Sequence, residues 1–186
     1  MLSTNEFARG LVLNIDGEPW QIVDFHFVNP GKGSAFTRTN LKNLKTGKVM
    51  ERSFKSGENF DEIEMERRPG KYLYKDRKNA MFALGEGKER IPFPLEQIAW
   101  ELNFLKDNTE VVLTYLDGEL HGVQLPPKMR LKVIEAPPSI KGNTATGGKK
   151  VVKLETGYEL NAPLFIDQDD EIEVSTATGE YSEKAK

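Results

Sequence analysis

The residue with the clearest chemical potential is Lys32, which lies at the centre of the sequence Asn29-Pro-Gly-Lys-Gly-Ser. Pro30 fixes one backbone φ angle, and Gly31 and Gly33 permit backbone angles that other residues avoid. Lysine carries a compact positive charge on a long flexible stem, which suits it to a narrow space among phosphates. Its amine can also accept a covalent modification. The pattern predicts a stiff loop that presents one cation, although a plain tight turn remains the alternative.

More cations follow this loop in the sequence. Residues 29–55 contain seven basic residues and one acid, whereas residues 155–183 contain nine acids and no base, within a net charge of −3. Such segregation predicts one-sided contact with a polyanion, and the alternative is a set of solvated strand faces. The candidate phosphate contacts on the strand after the loop are Arg38, Lys42 and Lys45.

Other catalytic or metal chemistry finds little support. His26 lies in an alternating strand pattern and predicts a surface or half-buried histidine, and His121 has no nearby partner in sequence. The acidic run 167–173 lacks the spacing of a calcium loop and predicts a solvated turn. A glycine follows Lys32 where a nucleotide-binding P-loop needs serine or threonine. We therefore expect no enzyme activity and no metal site.

The composition narrows the class of protein. The 186 residues contain no cysteine, which excludes a disulfide framework and a thiolate metal site. No apolar run approaches the roughly 18 to 20 residues that cross a bilayer, and the first residues lack the pattern of a signal peptide. We expect a cytoplasmic protein with no membrane partner.

The first 64 residues predict a small β-barrel. They contain four strand-like runs with no helical period, and Asp16-Gly17 is a strong signal for a two-residue hairpin turn. Lys32 then lies at the tip of a second hairpin, between two of these strands.

The rest of the chain predicts two further β domains. Pro69-Gly70 predicts a break, Asp117-Gly118 predicts a hairpin turn, and the apolar spacing of residues 95–105 predicts one short helix. Several strands with one short helix are typical of an OB-type barrel. The predicted domains are 1–64, 65–127 and 128–186.

These motifs resemble a known family. Residues 29–47 together with 51–58 resemble the first domain of bacterial elongation factor P, and residues 140–148 resemble a loop of its third domain. Three further segments also resemble the third domain, namely 154–157, 163–166 and 178–181. The resemblance implies an all-β chain with an SH3-like (KOW-like) N-terminal domain and two OB-fold domains, in an elongated, L-shaped arrangement similar to tRNA.

The resemblance also implies a function. The family binds the ribosome between the peptidyl and exit sites and relieves stalling at consecutive prolines. Lys32 would carry a covalent modification and reach the acceptor end of the peptidyl-tRNA. The loop that would approach the small subunit contains Gly142, Asn143 and Thr144.

The implied partners are the ribosomal RNA of both subunits, the peptidyl-site tRNA and a lysine-modifying enzyme, and the chain would be a monomer. No cofactor is expected beyond the modification of Lys32. A β-lysyl type is the first expectation, while aminopentanol-type and unmodified forms stay open.

Two departures from the family pattern leave alternatives. Asn29 replaces a common lysine beside the loop, and Asn143 replaces a usual aspartate. A factor-P-like paralogue with different stalling motifs is therefore the first rival. A general OB-type binder of single-stranded nucleic acid is the second, and it is disfavoured because the aromatic residues mostly fit core positions.

Overall fold

The computed structural model describes residues 1–86, 89–138 and 148–186. Three β-sheets account for most of this part of the chain, which confirms the all-β fold class. The described helices are three short 3₁₀ helices, at Thr4–Glu6, Leu95–Ile98 and Glu101–Asn103. A membrane-crossing helix, which needs far more apolar residues in a row, is not found among the described residues.

The first sheet has six strands in the order β1-β6-β2-β3-β4-β5. These strands are β1 Leu2–Ser3, β2 Val12–Ile15, β3 Glu18–Val28, β4 Phe36–Asn43, β5 Val49–Lys55 and β6 Asn59–Ile63. Asp16 and Gly17 join β2 to β3 with φ angles of 54° and 81°, both left-handed. A two-residue turn with two positive φ angles matches the right-handed twist of its strands, so the predicted hairpin is confirmed.

A β-bulge in β3 decides which side chains face the core of this sheet. The register with β4 shifts between Ile22 and Asp24, so Val23 is an extra residue and is exposed. A bulge reverses the alternation of the strand beyond it. Phe25 is consequently turned back towards the core of the sheet, where it packs against the buried residues.

The second sheet has five strands in the order β11-β10-β7-β8-β9. They are β7 Met65–Lys75, β8 Asn79–Leu84, β9 Glu89–Pro94, β10 Glu110–Leu116 and β11 Glu119–Gln124. The hairpin turn predicted at Asp117-Gly118 is confirmed, with φ angles of 47° and 81°.

The break predicted at Pro69-Gly70 is wrong, because β7 runs through both residues. The register of β7 with β8 starts at Gly70, so the N–H that Pro69 lacks is not needed for that pairing. Glycine is required at position 70 because the neighbouring strands leave no room for a side chain. A Cβ atom there would lie 2.7 Å from Leu113 Cδ1 and 3.2 Å from the Ala83 carbonyl oxygen.

The single short helix predicted within 95–105 is two 3₁₀ helices. Isolated helical turns of this length are marginal, and tertiary contacts decide their form. Ile98 and Phe104 are fully buried, and Trp100 Nε1 donates a hydrogen bond to the Thr176 carbonyl oxygen at 2.9 Å. These anchors hold the segment as two separate tight turns.

The third sheet has five strands in the order β14-β13-β12-β15-β16. They are β12 Lys128–Glu135, β13 Lys149–Leu154, β14 Glu159–Pro163, β15 Glu171–Ser175 and β16 Tyr181–Lys184. The acidic run before β15 forms a turn in which Asp170 accepts a hydrogen bond from the Asp167 N–H and pairs with Lys184. The solvated turn predicted from the sequence is confirmed, and the structure adds the ion pair with Lys184.

The described chain divides into two compact units. One contains Met1–Glu66 with Tyr115–Glu119, and the other contains Arg67–Thr114 with Leu120–Lys186. In the second unit, Phe104 lies in the core of the third sheet although it precedes that sheet by more than twenty residues. The segment between β9 and β10 therefore packs against the core of the third sheet. The boundaries 1–64, 65–127 and 128–186 stay predictions.

Candidate functional site

Lys32 lies in the loop between β3 and β4, residues 29–35, where it is exposed to solvent. Gly33 has a φ of +116°, a conformation that residues with a Cβ atom rarely adopt. Gly31 lies outside that left-handed region, and a Cβ atom there would meet nothing within 4 Å. The two glycines therefore differ: the backbone requires Gly33, whereas Gly31 chiefly leaves open space beside the lysine.

The amine of Lys32 is available to another molecule. Within the described residues, its Nζ makes no hydrogen bond or ion pair. Pro30 beside it is half-buried, so the base of the loop packs while its tip is exposed. The loop thus holds a cation away from the body of the first sheet.

A cationic face, defined here by Arg38, Lys42 and Lys55, lies on the sheet that carries this loop. Along β4 the burial pattern alternates, and Arg38 and Lys42 both point to the exposed side. Lys55 in β5 is paired with Phe36 in β4, which places it on the same side as Arg38 and Lys42. The prediction for Arg38 and Lys42 on one side of the hairpin agrees with this arrangement.

Neighbouring acids leave most of this positive charge available. Arg38 Nε lies 3.7 Å from Glu51 Oε1, with both side chains more than half exposed. An exposed ion pair of this kind contributes about 0 to 1 kcal/mol, so a phosphate can readily replace the carboxylate.

Asp24, a second acid on this side, is already paired. Arg9 Nε and Nη2 donate to Asp24 Oδ1 at 3.0 and 2.8 Å, and His26 Nε2 lies 3.3 Å from Oδ2. The hydrogen bond from Arg9 is the main reason that the pKa of Asp24 lies below its ordinary value. The side chain of His26 is exposed, which confirms the surface histidine expected from the sequence.

The other predicted contact residues lie elsewhere. Lys45 is in the turn after β4, where Asn43 Oδ1 accepts hydrogen bonds from the N–H groups of Lys45 and Thr46. That turn is at the opposite end of β4 from Lys32, about 23 Å away at about 3.3 Å per strand residue. Lys45 is therefore not brought together with the loop. Gly142, Asn143 and Thr144 lie outside the described residues.

Sequence reasoning missed two residues beside the loop, Lys55 and Phe27. The alternation of β5 could have indicated Lys55 once its register with β4 was known. Phe27 is 57% exposed, although its aromatic ring suggested a core position. The bulge at Val23 turns Phe27 to the core side of the sheet, but burial decreases towards the end of β3 and leaves the ring exposed. Neither feature is visible in the sequence.

This arrangement can bind and position a polyanion. In the described ranges, no group of three or more acidic or histidine side chains could hold a metal ion. The available chemistry is a projecting ammonium group, a face for phosphates and the aromatic ring of Phe27.

Comparisons with known proteins match this chain along its length. Residues 3–60 match a family model described as the elongation factor P KOW-like domain. Residues 65–123 match the elongation factor P OB domain, and residues 129–184 match the elongation factor P C-terminal domain.

Two curated relatives agree with these matches, and one solved structure has a similar fold. The elongation factor P of Moorella thermoacetica is 47% identical over 186 residues, covering all of both chains. That of Carboxydothermus hydrogenoformans is 41% identical over 181 residues, covering 97% of this chain and 98% of the relative. A structure described as eukaryotic translation initiation factor 5A from Methanococcus jannaschii has a TM-score of 0.51 at 21% identity. It aligns with 67% of this chain and 93% of its own, which is a likeness of fold.

Proposed function

Because the chain belongs to the elongation factor P family and so functions in translation elongation, we propose that it binds the ribosome between the peptidyl and exit sites and stimulates peptide-bond formation at polyproline stalls. The observation that carries this proposal is the exposed amine of Lys32, held on a loop whose backbone requires Gly33.

In this proposal the protein acts by positioning, without an acid, base or nucleophile of its own. Lys32 approaches the acceptor end of the peptidyl-tRNA and restricts its orientation. Proline is a poor partner in peptide-bond formation, so an ordered acceptor end lowers the entropic part of the barrier. The protein is not an enzyme in this account, because it supplies no reacting group and only positions a substrate that reacts on the ribosome.

The cationic face holds the tRNA by its phosphates. Arg38, Lys42 and Lys55 lie on one exposed side of β4 and β5. Contacts from such side chains to RNA phosphates fix the position of the protein on the RNA without recognising its base sequence. Each phosphate contact releases counterions, so binding weakens as salt rises. The partners in this proposal are ribosomal RNA of both subunits and the peptidyl-site tRNA, bound by a monomer in the cytoplasm.

A modifying enzyme that extends Lys32 is a further partner in this proposal. The exposed amine gives such an enzyme access to its acceptor atom. A β-lysyl, aminopentanol-type or unmodified lysine would differ in reach. The mass of the protein purified from its native host distinguishes these three forms.

A paralogue that acts on different stalling motifs is the second candidate. It is favoured by Asn29, which stands beside the loop where the family pattern commonly has lysine. Ribosome profiling of a deletion strain separates the two candidates, since pauses at consecutive prolines indicate the first and pauses at other motifs the second.

The proposal is tested in a purified translation system that synthesises a Pro-Pro-Pro peptide. Protein from the native host should accelerate this synthesis, and Lys32→Ala should lose most of the acceleration. Lys48→Ala is the matched control. Lys48 is also exposed, but it lies between β4 and β5, at the opposite end of β4 from Lys32. Equal stimulation by Lys32→Ala and the unaltered protein would contradict the role of Lys32.

A further inference from the structure

The side of the first sheet opposite the cationic face carries an aromatic group beside the lysine loop. We define this aromatic face by Phe25, Phe27, Phe54 and Arg52. The register pairs Phe27 with Thr37 and Thr37 with Phe54, which puts them in one row on the same side. In the next row Phe25 pairs with Thr39 and Thr39 pairs with Arg52, so these residues share the same side of the sheet.

Burial on this face decreases from β5 to β3, and along β3 it decreases towards the loop. Phe54 is buried against Phe7 and Phe60, with ring centroids 6.2 and 4.7 Å away. Phe25 is half-buried, and its ring meets that of Phe27 edge to face at 5.5 Å. Phe27, the last aromatic residue before the loop, is 57% exposed. The ring of Phe25 therefore holds the ring of Phe27 in place, while much of the surface of Phe27 faces solvent.

A guanidinium group adds charge to the same face. Arg52 Cζ lies over the ring of Phe54, 5.1 Å from its centroid, and the side chain is exposed. Arg52 is two strands from Phe27, about 10 Å across at the ordinary strand spacing. A stacked nucleotide and a long arginine side chain together span such a distance. Aromatic rings next to cations are the usual platform for unpaired bases.

A buried polar residue, Thr37, lies between Phe27 and Phe54 in their cross-strand row. Thr37 is 1% exposed, and its Oγ1 is buried with no hydrogen-bond partner within the described residues. Buried hydroxyl groups are rarely left unpaired, because the lost hydrogen bond to water is costly. Thr37 is the direct cross-strand partner of Phe27, so this buried hydroxyl belongs to the residue next to the exposed ring.

We propose that Phe27 is a stacking platform for an unpaired base of the RNA strand that Lys32 approaches, an inference that rests on the proposed function. In this arrangement the cationic face contacts backbone phosphates on one side of the hairpin, and Phe27 holds a base on the other. Arg52 neutralises a phosphate next to the stacked base. The hairpin end thus orders the strand by two kinds of contact, of which only the stacking one needs an aromatic ring.

The first test uses RNA alone, so it does not depend on translation activity. A single-stranded RNA hexamer with a terminal 2-aminopurine is titrated with the full chain at low salt, and quenching of its fluorescence reports stacking. Phe27→Tyr should keep the affinity of the unaltered protein. Phe27→Leu and Phe27→Ala should weaken it at least about fivefold, since base stacking on a single aromatic residue has effects of this size or larger.

Matched controls separate stacking from loss of fold or of apolar area. Val49→Ala removes another exposed apolar side chain, on the first sheet but at the far end of the hairpin, and should leave affinity unchanged. Thermal unfolding of the Phe27 variants should stay within a few degrees of the unaltered protein, because the ring is mostly exposed.

Two results would overturn the proposal. Full affinity in Phe27→Leu would show that apolar contact suffices, as for a protein segment docked on this face. Absence of quenching by the unaltered protein up to about 1 mM would exclude the platform. Loss of function in Lys32→Ala with unchanged stacking, or the reverse, separates this inference from the proposed function.

Discussion

Two regions of this protein combine aromatic and glycine residues, but with opposite consequences for exposure to solvent. The β3–β4 loop presents Lys32, the exposed ring of Phe27 lies near the end of β3 beside it, and a Cβ atom on Gly31 would meet nothing within 4 Å. In the second unit, the ring of Phe104 contacts those of Trp100 and Tyr158 at centroid distances of 5.2 and 5.1 Å. We call this second group the aromatic junction. The same residue types are exposed to solvent in the first region, whereas in the second they pack the segment between β9 and β10 against the third sheet.

Glycine illustrates the difference most clearly. Gly179 packs against the aromatic junction, and a Cβ atom there would clash with the hydroxyl oxygen of Tyr158 and lie 2.8 Å from Trp100 Cη2. In the loop, a Cβ atom on Gly33 would meet only Pro30 Cγ, at 3.8 Å. At the junction Gly179 is required by close packing and also by its φ of 75°, whereas in the loop Gly33 is required by its backbone angle alone.

The largest expected effect is in the core of the junction. Phe104→Ala should lower the free energy of unfolding of the second unit by about 3 to 5 kcal/mol, because it removes a fully buried ring and leaves a cavity. Phe27→Ala, at the exposed end of the aromatic face, should cost less than about 1 kcal/mol. Chemical denaturation of both variants measures the contrast, and similar losses would mean that Phe27 is also a structural residue.

Glycine substitutions give the next largest contrast. Gly179→Ala should destabilise the protein by about 2 to 4 kcal/mol, because its φ is 75° and a Cβ atom there clashes. Gly31→Ala should be neutral or stabilising by up to about 1 kcal/mol. The backbone at this position is compatible with alanine, and alanine has fewer conformations than glycine in the unfolded chain. Thermal unfolding of the two variants checks this. A strong loss of stability in Gly31→Ala would refute the distinction between the loop glycines.

A smaller effect is expected at Thr37. Thr37→Val keeps the branched shape that suits a strand and removes the buried hydroxyl that has no partner in the described part of the chain. It should stabilise the free protein by about 1 kcal/mol. Thr39→Val is the matched control, because the Thr39 hydroxyl donates to the Arg52 carbonyl oxygen at 2.6 Å and its loss should destabilise. Equal effects of both substitutions would mean that the Thr37 hydroxyl is satisfied in solution.

The smallest effect concerns pH and Asp24. Its pKa is lowered from the ordinary 3.8 by the hydrogen bond from Arg9, so the folded state binds this proton less tightly than the unfolded state. The stabilisation is present above about pH 4 and is lost as pH falls through the lowered pKa. In Arg9→Gln, an NMR titration should show the Asp24 pKa moving back up.

Asp76 is the internal control for this titration. Its pKa is lowered chiefly by backbone N–H groups of Lys78 and Asn79, so Arg9→Gln should not change it. A shift of both carboxyl groups would indicate a general change of structure, and no shift of Asp24 would mean that the Arg9 pair does not persist in solution.

Local sequence signals predicted much of the fold. Asp16-Gly17 and Asp117-Gly118 specify their turns because two left-handed residues in a row match a two-residue hairpin. The exposed Lys32 loop was likewise predicted from Pro30 and its glycines, although only Gly33 has the unusual backbone angle.

Features that depend on partners distant in sequence could not be predicted. The bulge at Val23 follows from how β3 and β4 pair, and it decides which side Phe25 and Phe27 face. The burial of Phe104 depends on a sheet that begins at Lys128. Tertiary contacts override local periodicity in such segments, which is why one helix was expected where two 3₁₀ helices occur.

The central claim is that the β3–β4 loop reaches the acceptor end of the peptidyl-site tRNA. The chain has no cysteine, so Ser34→Cys introduces a single attachment point on the exposed loop while keeping Lys32. An iron chelate attached there, on a ribosome stalled at consecutive prolines, should cleave the tRNA near its acceptor end, whereas Lys48→Cys with the same chelate should not. Cleavage confined to other RNA from Ser34→Cys, or the same pattern from both variants, would contradict the account.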